Sequence, residues 1–255
     1  DANHSSQEGH RRSVGDVMRH VDLCSGIGGF ALGFEWAELS RPVLFCDIEP
    51  WSRQVLAKHW PNVPIAQDVK ELANDPDRNV PDCDILTAGY PCQPFSLAGK
   101  RLGSADTDRH IWPYILRIVA SKRPSWCVFE NVYGHLTLGL DQVLLDLEAE
   151  GYATRPFIVP ACGVDAPHKR DRIWIIAKNM ADTDGPRRKE QRWPQPAQPK
   201  HQAPQCRSGW LTEPPVGRVA HGIPKRVDRL KGLGNAIVPQ IAQRIGETIK
   251  RAYLQ

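Results

Sequence analysis

The chain has 255 residues and a formal net charge of +4, with 41% hydrophobic and 24% charged residues, which suits one sizeable core and a small appended region. No apolar run approaches the roughly 20 residues that span a bilayer, and the polar residues 1–17, a predicted flexible leader, lack the apolar segment of a secretion signal. The seven cysteines show no CxxC pair and no zinc-ligand spacing, so we expect a reducing, cytoplasmic setting, no membrane contact and no metal.

Short apolar runs alternate with helical patterns from residue 18 to residue 180. The predicted strands are HVDLC, PVLFCD, CDILTA, WCVFE, TRPFIVP and RIWIIA, with a further strand expected before Asp68. The predicted helices are FALGFEWAEL, WSRQVLAKHW, YILRIVASK and DQVLLDLEAE. This alternation predicts an α/β fold with a Rossmann-like, mostly parallel sheet and helices on both faces. The last two strands, with no helix between them, predict an antiparallel pair.

The first strand leads into the glycine-rich turn DLCSGIGGF. Gly26, Gly28 and Gly29 allow a ligand to approach the backbone closely, and the helix that follows offers free N–H groups. The third glycine of the dinucleotide fingerprint is missing, which disfavours a nicotinamide cofactor. A turn needed only for packing is the alternative interpretation.

Two acids follow the next two strands. Asp47 lies about 20 residues beyond the glycines, where doubly wound nucleotide sites bind ribose hydroxyls. The alternative is that Asp47 or Glu49 caps the helix starting near Trp51. Asp68 is suited to accept a hydrogen bond from an adenine amino group, and a helix N-cap is an equally good explanation of it.

The motif GYPCQPFS follows the fourth strand and places Cys92 between two prolines. The prolines stiffen the loop and direct the thiol, which suits a nucleophile better than a packing cysteine. Glu130 ends the next strand, WCVFE, where a carboxylate is costly to bury without a partner. Burial there is expected to raise the pKa of Glu130 and make it a proton donor.

Two arginines enter the last strand in HKRDRIWIIA. Arg170 and Arg172 are two residues apart and are predicted to share one strand face. Each needs an acceptor, and Glu130, a phosphate or a base carbonyl would serve. A surface ladder of arginines is the alternative.

The composition changes after Met180. Residues 181–217 contain seven prolines, which forbid a regular helix or a central strand. Residues 185–210 contain six Lys or Arg against one Glu, which indicates a polyanionic partner for this segment. Helical periodicity resumes in GNAIVPQIAQRIGETIKRAYL, with Ile241, Ile245 and Ile249 four residues apart.

In this order, the segments resemble the DNA cytosine-5 methyltransferase family, over residues 19–178 and again over 218–249. The resemblance is carried by DLCSGIGGF, Asp47, Asp68, GYPCQPFS, FENV, HKRDR and LGNAIVP. It implies the fold of methyltransferases that use S-adenosylmethionine. The implied parts are a leader (1–17), a catalytic domain (18–180), a short loop-rich target-recognition domain (181–230) and a C-terminal helix that packs back on the catalytic domain (231–255).

The resemblance implies methyl transfer from S-adenosylmethionine to C5 of a cytosine flipped out of double-stranded DNA, with S-adenosylhomocysteine as product. Cys92 would attack C6 and make C5 electron-rich, while Glu130 would assist at N3. Arg172 would contact the cytosine O2, and Arg170 the adjoining phosphate or the Cys92 loop. A monomer is expected, as in a compact phage or prophage enzyme.

For the cofactor, the resemblance places the glycine turn beside the methionine part, Asp47 on the ribose and Ile48 on the adenine. The implied pocket residues are Cys24, Gly26, Ile27, Gly28, Gly29, Asp47, Ile48, Asp68, Val69, Gly89, Pro91, Asn235 and Ala236. The candidate DNA contacts are Gln93, Ser96, Arg187, Arg188, Arg192 and Trp193. A merely solvated basic loop explains the last four equally well.

The chain departs from the family pattern at several positions. Cys24 stands where phenylalanine is usual, and His168 replaces a glutamine of the arginine motif. The segment DTDRHIWPY matches its motif loosely, which leaves Ile111 and Trp112 open as cofactor neighbours. The short recognition segment implies a short or relaxed target sequence, with phosphate contacts supplying much of the affinity.

Three other functions fit parts of the sequence less well. A cytosine-5 methyltransferase acting on tRNA is the nearest rival, and the Cys-Phe-Thr motif of its eukaryotic members is absent from the sequence. A non-catalytic DNA-binding regulator is disfavoured by the intact Cys92, Glu130, Arg170 and Arg172. A nicotinamide-dependent oxidoreductase is disfavoured by the missing glycine.

Overall fold

The computed structural model describes residues 17–91, 111–136, 139–166, 169–181 and 235–253. Its strands are β1 (Met18–Leu23), β2 (Ser40–Cys46), β3 (Ile65–Ala66), β4 (Ile85–Ala88), β5 (Trp126–Val132), β6 (Tyr152–Pro160) and β7 (Asp171–Asn179). Its helices are α1 (Gly29–Trp36), α2 (Pro50–His59), α3 (Val69–Asn74), α4 (Pro76–Asn79), α5 (Trp112–Lys122), α6 (Leu140–Ala149) and α7 (Pro239–Tyr253). Short 3-10 turns at Tyr133–Leu136 and Ala161–Val164 follow β5 and β6.

The strands join one sheet in the order β3-β2-β1-β4-β5-β7-β6. The first five strands along the chain pair in parallel, whereas β7 runs antiparallel to both β5 and β6. The prediction of a mostly parallel sheet with a final antiparallel pair is therefore confirmed. The strand order reverses between β1 and β4, so the loops after these two strands leave the same edge side by side. In open α/β sheets, this is where ligands bind.

Helices cover both faces of the sheet, as the sequence predicts. Strand β4 is buried along its whole length, and its residues alternate between two cores. Leu86 and Ala88 join a cluster with residues of α3, α5 and α6. Ile85 joins a second cluster, built largely from α1 and α7. The two cores hold the carboxyl ends of β1, β4 and β5 in fixed relative positions.

The helices that the sequence pattern did not predict, α3 and α4, are short. The four predicted helices correspond to α1, α2, α5 and α6, but α3 and α4 have only six and four residues. Each begins at an aspartate cap, because Asp68 accepts from the Lys70 N–H and Asp75 from the Arg78 N–H. A capped helix of one turn has too few residues to show a 3.6-residue period.

The C-terminal helix α7 packs against α1. Ile241 and Ile249 are buried, and Ile245 is partly buried against the same cluster, as their spacing predicts. The helix begins at Pro239, later than the helical pattern from Gly234 suggests, and residues 236–238 are not helical. Proline suits the first helical turn, since its missing N–H would have no partner there.

The part of the chain that the structure describes was searched for membrane-spanning helices, metal-binding groups and free cysteines. None of the helices there is both long and apolar enough to cross a membrane. The same ranges contain no group of three or more His, Cys, Asp or Glu placed to hold a metal ion. Their free cysteines are Cys24, Cys46, Cys83, Cys127 and Cys162.

Candidate active site

The turn after β1 is shaped by left-handed backbone. Cys24, Gly26 and Gly28 have φ angles of 51°, 55° and 85°, a region that glycine adopts without steric cost. The Ser25 N–H donates to the carbonyl oxygen of Cys46 at 3.0 Å and ties the turn to the end of β2. A Cβ built on Gly26 would meet no atom of the described residues within 4 Å. The turn therefore presents an open side where a ligand can approach its backbone.

Asp47 connects this turn to the segment after β2. Its Oδ2 accepts from the Gly26 N–H at 2.7 Å, and its Oδ1 accepts from the Glu49 N–H at 2.8 Å. Burial raises the pKa of Asp47, an effect opposed by these two backbone hydrogen bonds. Since a carboxylate oxygen accepts two hydrogen bonds, both oxygens keep capacity for a ligand hydroxyl. The neighbouring Ile48 is 62% exposed and offers an apolar surface beside the carboxylate.

Asp68 acts as a helix N-cap, which was the alternative explanation of this residue from the sequence. Its Oδ1 accepts from the Lys70 N–H at 2.9 Å at the start of α3. The next residue, Val69, is buried with its side chain in the core under α3 and α5. The Val69 side chain is therefore not available to a cofactor.

Glu130 and Arg172 form an ion pair at the carboxyl end of β5. Arg172 Nε lies 2.9 Å from Glu130 Oε1, and the glutamate is only 9% exposed. Burial raises the pKa of Glu130 to about 7, although Arg172 and Arg170 lower it. A carboxyl group with this pKa exists in both protonation states near neutral pH, so it can donate or accept a proton there.

Arg170 lies outside the strand that was predicted to hold it. Strand β7 begins at Asp171, and Arg170 has a left-handed φ of 39°. The prediction that Arg170 and Arg172 share one strand face is wrong, because the two-residue alternation begins only after Arg170. The Arg170 Nη2 instead donates to the carbonyl oxygen of Ala236 at 2.8 Å. Its Nε is buried and has no hydrogen-bond partner among the described residues, so a surface ladder is excluded.

Gly89, the first residue of GYPCQPFS, lies beside the Glu130 carboxylate. A Cβ built on Gly89 would lie 3.7 Å from Glu130 Oε2 and 3.3 Å from Ile237 Cδ1. Ile237 also contacts the glycine turn, since a Cβ on Gly29 would lie 2.6 Å from its carbonyl oxygen. The segment before α7 thus sits between the turn after β1 and the loop after β4. Within it, Ala236 is half-buried and Asn235 is exposed.

Known proteins resemble this chain in sequence and in fold. The family model for the C-5 cytosine-specific DNA methylase matches residues 18–210. The chain belongs to this family. It is 34% identical to the type II methyltransferase M.BsuFI of Bacillus subtilis over 68% of this chain and 42% of that protein. It is 35% identical to the type II methyltransferase M.NlaIV of Neisseria lactamica over 66% of this chain and 43% of that protein.

A solved structure gives the same family fold. The crystal structure of S. pombe Dnmt2 methyltransferase matches with a TM-score of 0.56 and 25% identity, over 64% of this chain and 51% of that chain. The Rossmann-like fold predicted from the sequence is confirmed. The alignments cover about half or less of the length of these relatives.

Several predicted C-5 methylase residues lie outside the described residues. These are the proposed nucleophile and the proposed DNA contacts: Cys92, Gln93, Ser96, Arg187, Arg188, Arg192 and Trp193. The described chain reaches Pro91, the residue before the nucleophile. Of the two open cofactor neighbours, Trp112 is buried in the core and Ile111 is partly buried against it.

A buried polar chain beneath the methylase site is not predicted by the sequence motifs. Thr87 Oγ1 donates to Asp22 Oδ1 at 2.6 Å and lies 2.7 Å from His20 Nε2. All three side chains are fully buried. Burial raises the pKa of Asp22 to about 8 and lowers that of His20 to about 3, so both groups are neutral at pH 7. The available signal was the pair of polar residues two apart in an otherwise apolar strand.

Proposed function

We propose that the chain is a DNA cytosine-5 methyltransferase that transfers a methyl group from S-adenosylmethionine through a covalent bond between Cys92 and cytosine C6. The proximity of Gly89 to the Glu130 carboxylate is the observation that supports this most directly. The motif that contains Cys92 begins at Gly89, which lies beside the buried Glu130. Glu130 is already paired with Arg172. Nucleophile, acid and cation are the three groups that addition to a pyrimidine ring requires.

The residues after β1 and β2 fit the proposed cofactor. Gly26 leaves open space at the turn, Asp47 keeps hydrogen-bonding capacity for ribose hydroxyls, and the exposed Ile48 can cover an adenine ring. The free amides at the start of α1 suit the carboxylate of the methionine part. When bound, S-adenosylmethionine supplies the electrophilic methyl group that cytosine C5 accepts.

Cys92 supplies the nucleophile for the target base. A cytosine inside a duplex presents C6 poorly, so the base has to leave the stack before the thiolate can attack. The bond between Cys92 Sγ and C6 shifts electron density to C5, which then takes the methyl group. Loss of the C5 proton to water or hydroxide restores the double bond and releases the thiolate.

Glu130 and Arg172 stabilise the ring as charge develops on it. A protonated Glu130 donates to cytosine N3, which is the position where negative charge collects during thiolate addition. Arg172 holds the Glu130 carboxyl group through Nε and donates from Nη1 to the Asp171 carbonyl oxygen at 3.0 Å, so its Nη2 is suited to the cytosine O2. Arg170 is engaged with the Ala236 carbonyl oxygen, which supports a role in holding the segment before α7.

The substrate is proposed to be double-stranded DNA, bound by a monomer. The six basic residues between 185 and 210 are suited to the phosphate backbone, with Gln93 and Ser96 near the flipped nucleotide. Asn235 and Ala236 would complete the cofactor pocket. We propose that the protein acts on DNA in the cytoplasm of a bacterial or phage-infected cell, as part of DNA modification.

Methyl transfer to defined nucleic acids tests this function. The full chain is incubated with labelled S-adenosylmethionine and either duplex DNA or tRNA, and 5-methylcytosine is mapped by sequencing. We expect label in duplex DNA at one short sequence, and its loss in Cys92→Ala. The control variant Cys162→Ala, which removes a free thiol elsewhere, is expected to keep the activity.

Each other outcome of this experiment has a definite meaning. Label found in tRNA and not in DNA would show that the protein is a tRNA cytosine-5 methyltransferase. DNA binding without label in any nucleic acid would favour a non-catalytic regulator. Label that persists in Cys92→Ala would contradict the covalent mechanism.

A further inference from the structure

A buried hydrogen bond joins Tyr90 to His135 at the base of the proposed Cys92 loop. The Tyr90 Oη lies 3.1 Å from His135 Nε2, and the two residues are only 4% and 1% exposed. Their rings meet edge to face, with centroids 5.7 Å apart and an interplanar angle of 84°. Burial lowers the pKa of His135, which keeps the ring neutral and able to share one proton with the phenol.

Two aromatic rings, Trp112 and Phe129, pack against this pair and fix its place in the core. Tyr90 packs on Trp112 with centroids 5.4 Å apart, and Trp112 packs on Phe129 at 5.3 Å. The Trp112 Nε1 donates to Asp146 Oδ2 at 2.8 Å, which ties α5 to α6. The cluster therefore touches the exit of β4, the end of β5, and helices α5 and α6.

The pair links the two segments that supply the proposed catalytic groups. Tyr90 is two residues before Cys92 in GYPCQPFS, and Phe129 directly precedes Glu130. His135 lies in the 3-10 turn that continues from β5, the strand that contains Glu130. Restraining the Tyr90 hydroxyl against His135 thus restrains the start of the thiol loop relative to the acid.

A buried hydrogen bond of this kind adds little net stability compared with apolar packing at the same place. Two buried polar groups cost free energy unless they pair, and replacing both by apolar groups of similar shape is often nearly neutral. Stability alone therefore gives no reason for a tyrosine and a histidine here. A hydrogen bond is directional, so it fixes the relative orientation of the two side chains more strictly than aromatic packing alone does.

We propose that Tyr90 and His135 are positioning residues whose hydrogen bond holds residues 89–91, which lead into Cys92, in a fixed position relative to Glu130. This inference rests on the proposed function, because it assigns the pair a role in the same reaction. Neither side chain touches the substrate in this role. They act by holding the backbone from which the thiol is presented, and misplacement of a reacting group by about 1 Å can cost about 100-fold in rate.

Single and double variants of the full chain test the pair. Tyr90→Phe and His135→Leu are each expected to lower kcat about tenfold or more, with KM for the cofactor and DNA changed less than about threefold. The double variant is expected to be no slower than the slower single variant, since both remove one bond. His135→Gln, whose amide can still pair with the phenol, is expected to recover most of the rate.

Tyr152→Phe is the matched control for loss of a buried phenol hydroxyl. The Tyr152 Oη donates to the Pro124 carbonyl oxygen at 2.9 Å, at the other end of β5. A purely structural effect would lower Tm in both tyrosine variants and leave kcat per folded molecule unchanged in both. That result, or additive losses in the double variant, would overturn the inference.

A second measurement separates this inference from the proposed function. The alkylation rate of Cys92 by iodoacetamide, followed by mass spectrometry with Cys162 as internal reference, needs no methyl transfer. We expect Tyr90→Phe and His135→Leu to change the Cys92 rate at least about threefold, and Tyr152→Phe to leave it unchanged. If the wild-type chain methylates no nucleic acid, the alkylation rate of Cys92 alone tests the inference. Equal rates in all variants would then refute the positioning role of Tyr90 and His135.

Discussion

At the scale of single residues, the site is defined by how burial alters ordinary side chains. Glu130 is surrounded by strand residues and has a pKa of about 7, in spite of its ion pair with Arg172. Desolvation is the larger of the opposing effects, because removing this carboxylate from water costs more than the nearby guanidinium groups of Arg172 and Arg170 return. The result is a carboxyl group suited to proton donation at neutral pH.

The pH profile of methyl transfer tests the assignment of Glu130. As the pH rises through about 7, the protonated fraction of Glu130 falls, so kcat/KM is expected to show a descending limb near pH 7. Glu130→Gln is expected to lower kcat/KM about 100-fold or more and to abolish that limb. The measurement is kcat/KM between pH 5.5 and pH 9, with Glu38→Gln at an exposed site as control. A limb that persists unchanged in Glu130→Gln would assign it to another group.

At the scale of elements, the contact between α1 and α7 positions the segment that closes the site. Gly33 lies where the two helices meet, and a Cβ there would lie 2.6 Å from Ala242 Cβ and 2.9 Å from the Gln243 backbone nitrogen. Such close approach requires a glycine on one of the helices. The same contact sets the position of Ile237, which lies against Gly29 and Gly89.

Gly33→Ala is expected to destabilise the protein and weaken cofactor binding together. The new methyl group meets backbone atoms that cannot move aside, so the free energy of unfolding should fall by about 1–3 kcal/mol. The measurements are Tm by calorimetry and cofactor affinity by titration. Gly163→Ala is the control, because among the described residues its Cβ would meet only Pro160 Cγ, at 3.8 Å. An unchanged Tm in Gly33→Ala would show that α7 can shift without cost.

At the scale of the whole molecule, two buried titratable groups make stability depend on pH in opposite directions. The pKa of Asp22 rises from 3.8 to about 8 on folding, and that of His20 falls from 6.5 to about 3. The folded state therefore holds a proton on Asp22 that the unfolded chain has lost between these values, and stability falls as the pH rises through that window. His20 acts oppositely, and its contribution falls as the pH drops below 6.5.

Asp22→Asn is expected to stabilise the protein increasingly between pH 6.5 and pH 8, and His20 cancels from the comparison because both proteins contain it. The wild type loses up to about 1.4 kcal/mol of unfolding free energy per pH unit from this one group, whereas the amide loses none. The amide oxygen can also still accept from Thr87. Unfolding by urea at several pH values measures the difference.

The control for this prediction is a neutralised aspartate outside the core. Asp141→Asn replaces an exposed side chain in the first turn of α6 and is expected to shift stability equally at each pH in the window. A constant difference between Asp22→Asn and the wild type would instead show that Asp22 stays ionised in the folded protein.

The sequence by itself determined the order of the main strands and helices and the strand ends where the site lies. An apolar run or a helical period shows which residues of a segment must be buried, whatever the segment packs against. In a parallel sheet, residues that end successive strands meet at one edge, so chain order alone places Asp47 and Glu130 near the glycine turn. Periodicity could not show α3 and α4, which are shorter than the pattern that would reveal them.

Only the tertiary structure decided which of these residues touch. The bond from Arg170 to Ala236 joins residues 66 positions apart, and that between Tyr90 and His135 spans 45 positions. Such pairs depend on strand register and on a left-handed backbone at Arg170, neither of which leaves a period in the sequence. The same holds for Asp22 and Thr87, which meet because β1 and β4 are neighbours in the sheet. Local patterns therefore predict where chemistry collects, whereas hydrogen bonds between distant segments are set by the packing of the folded chain.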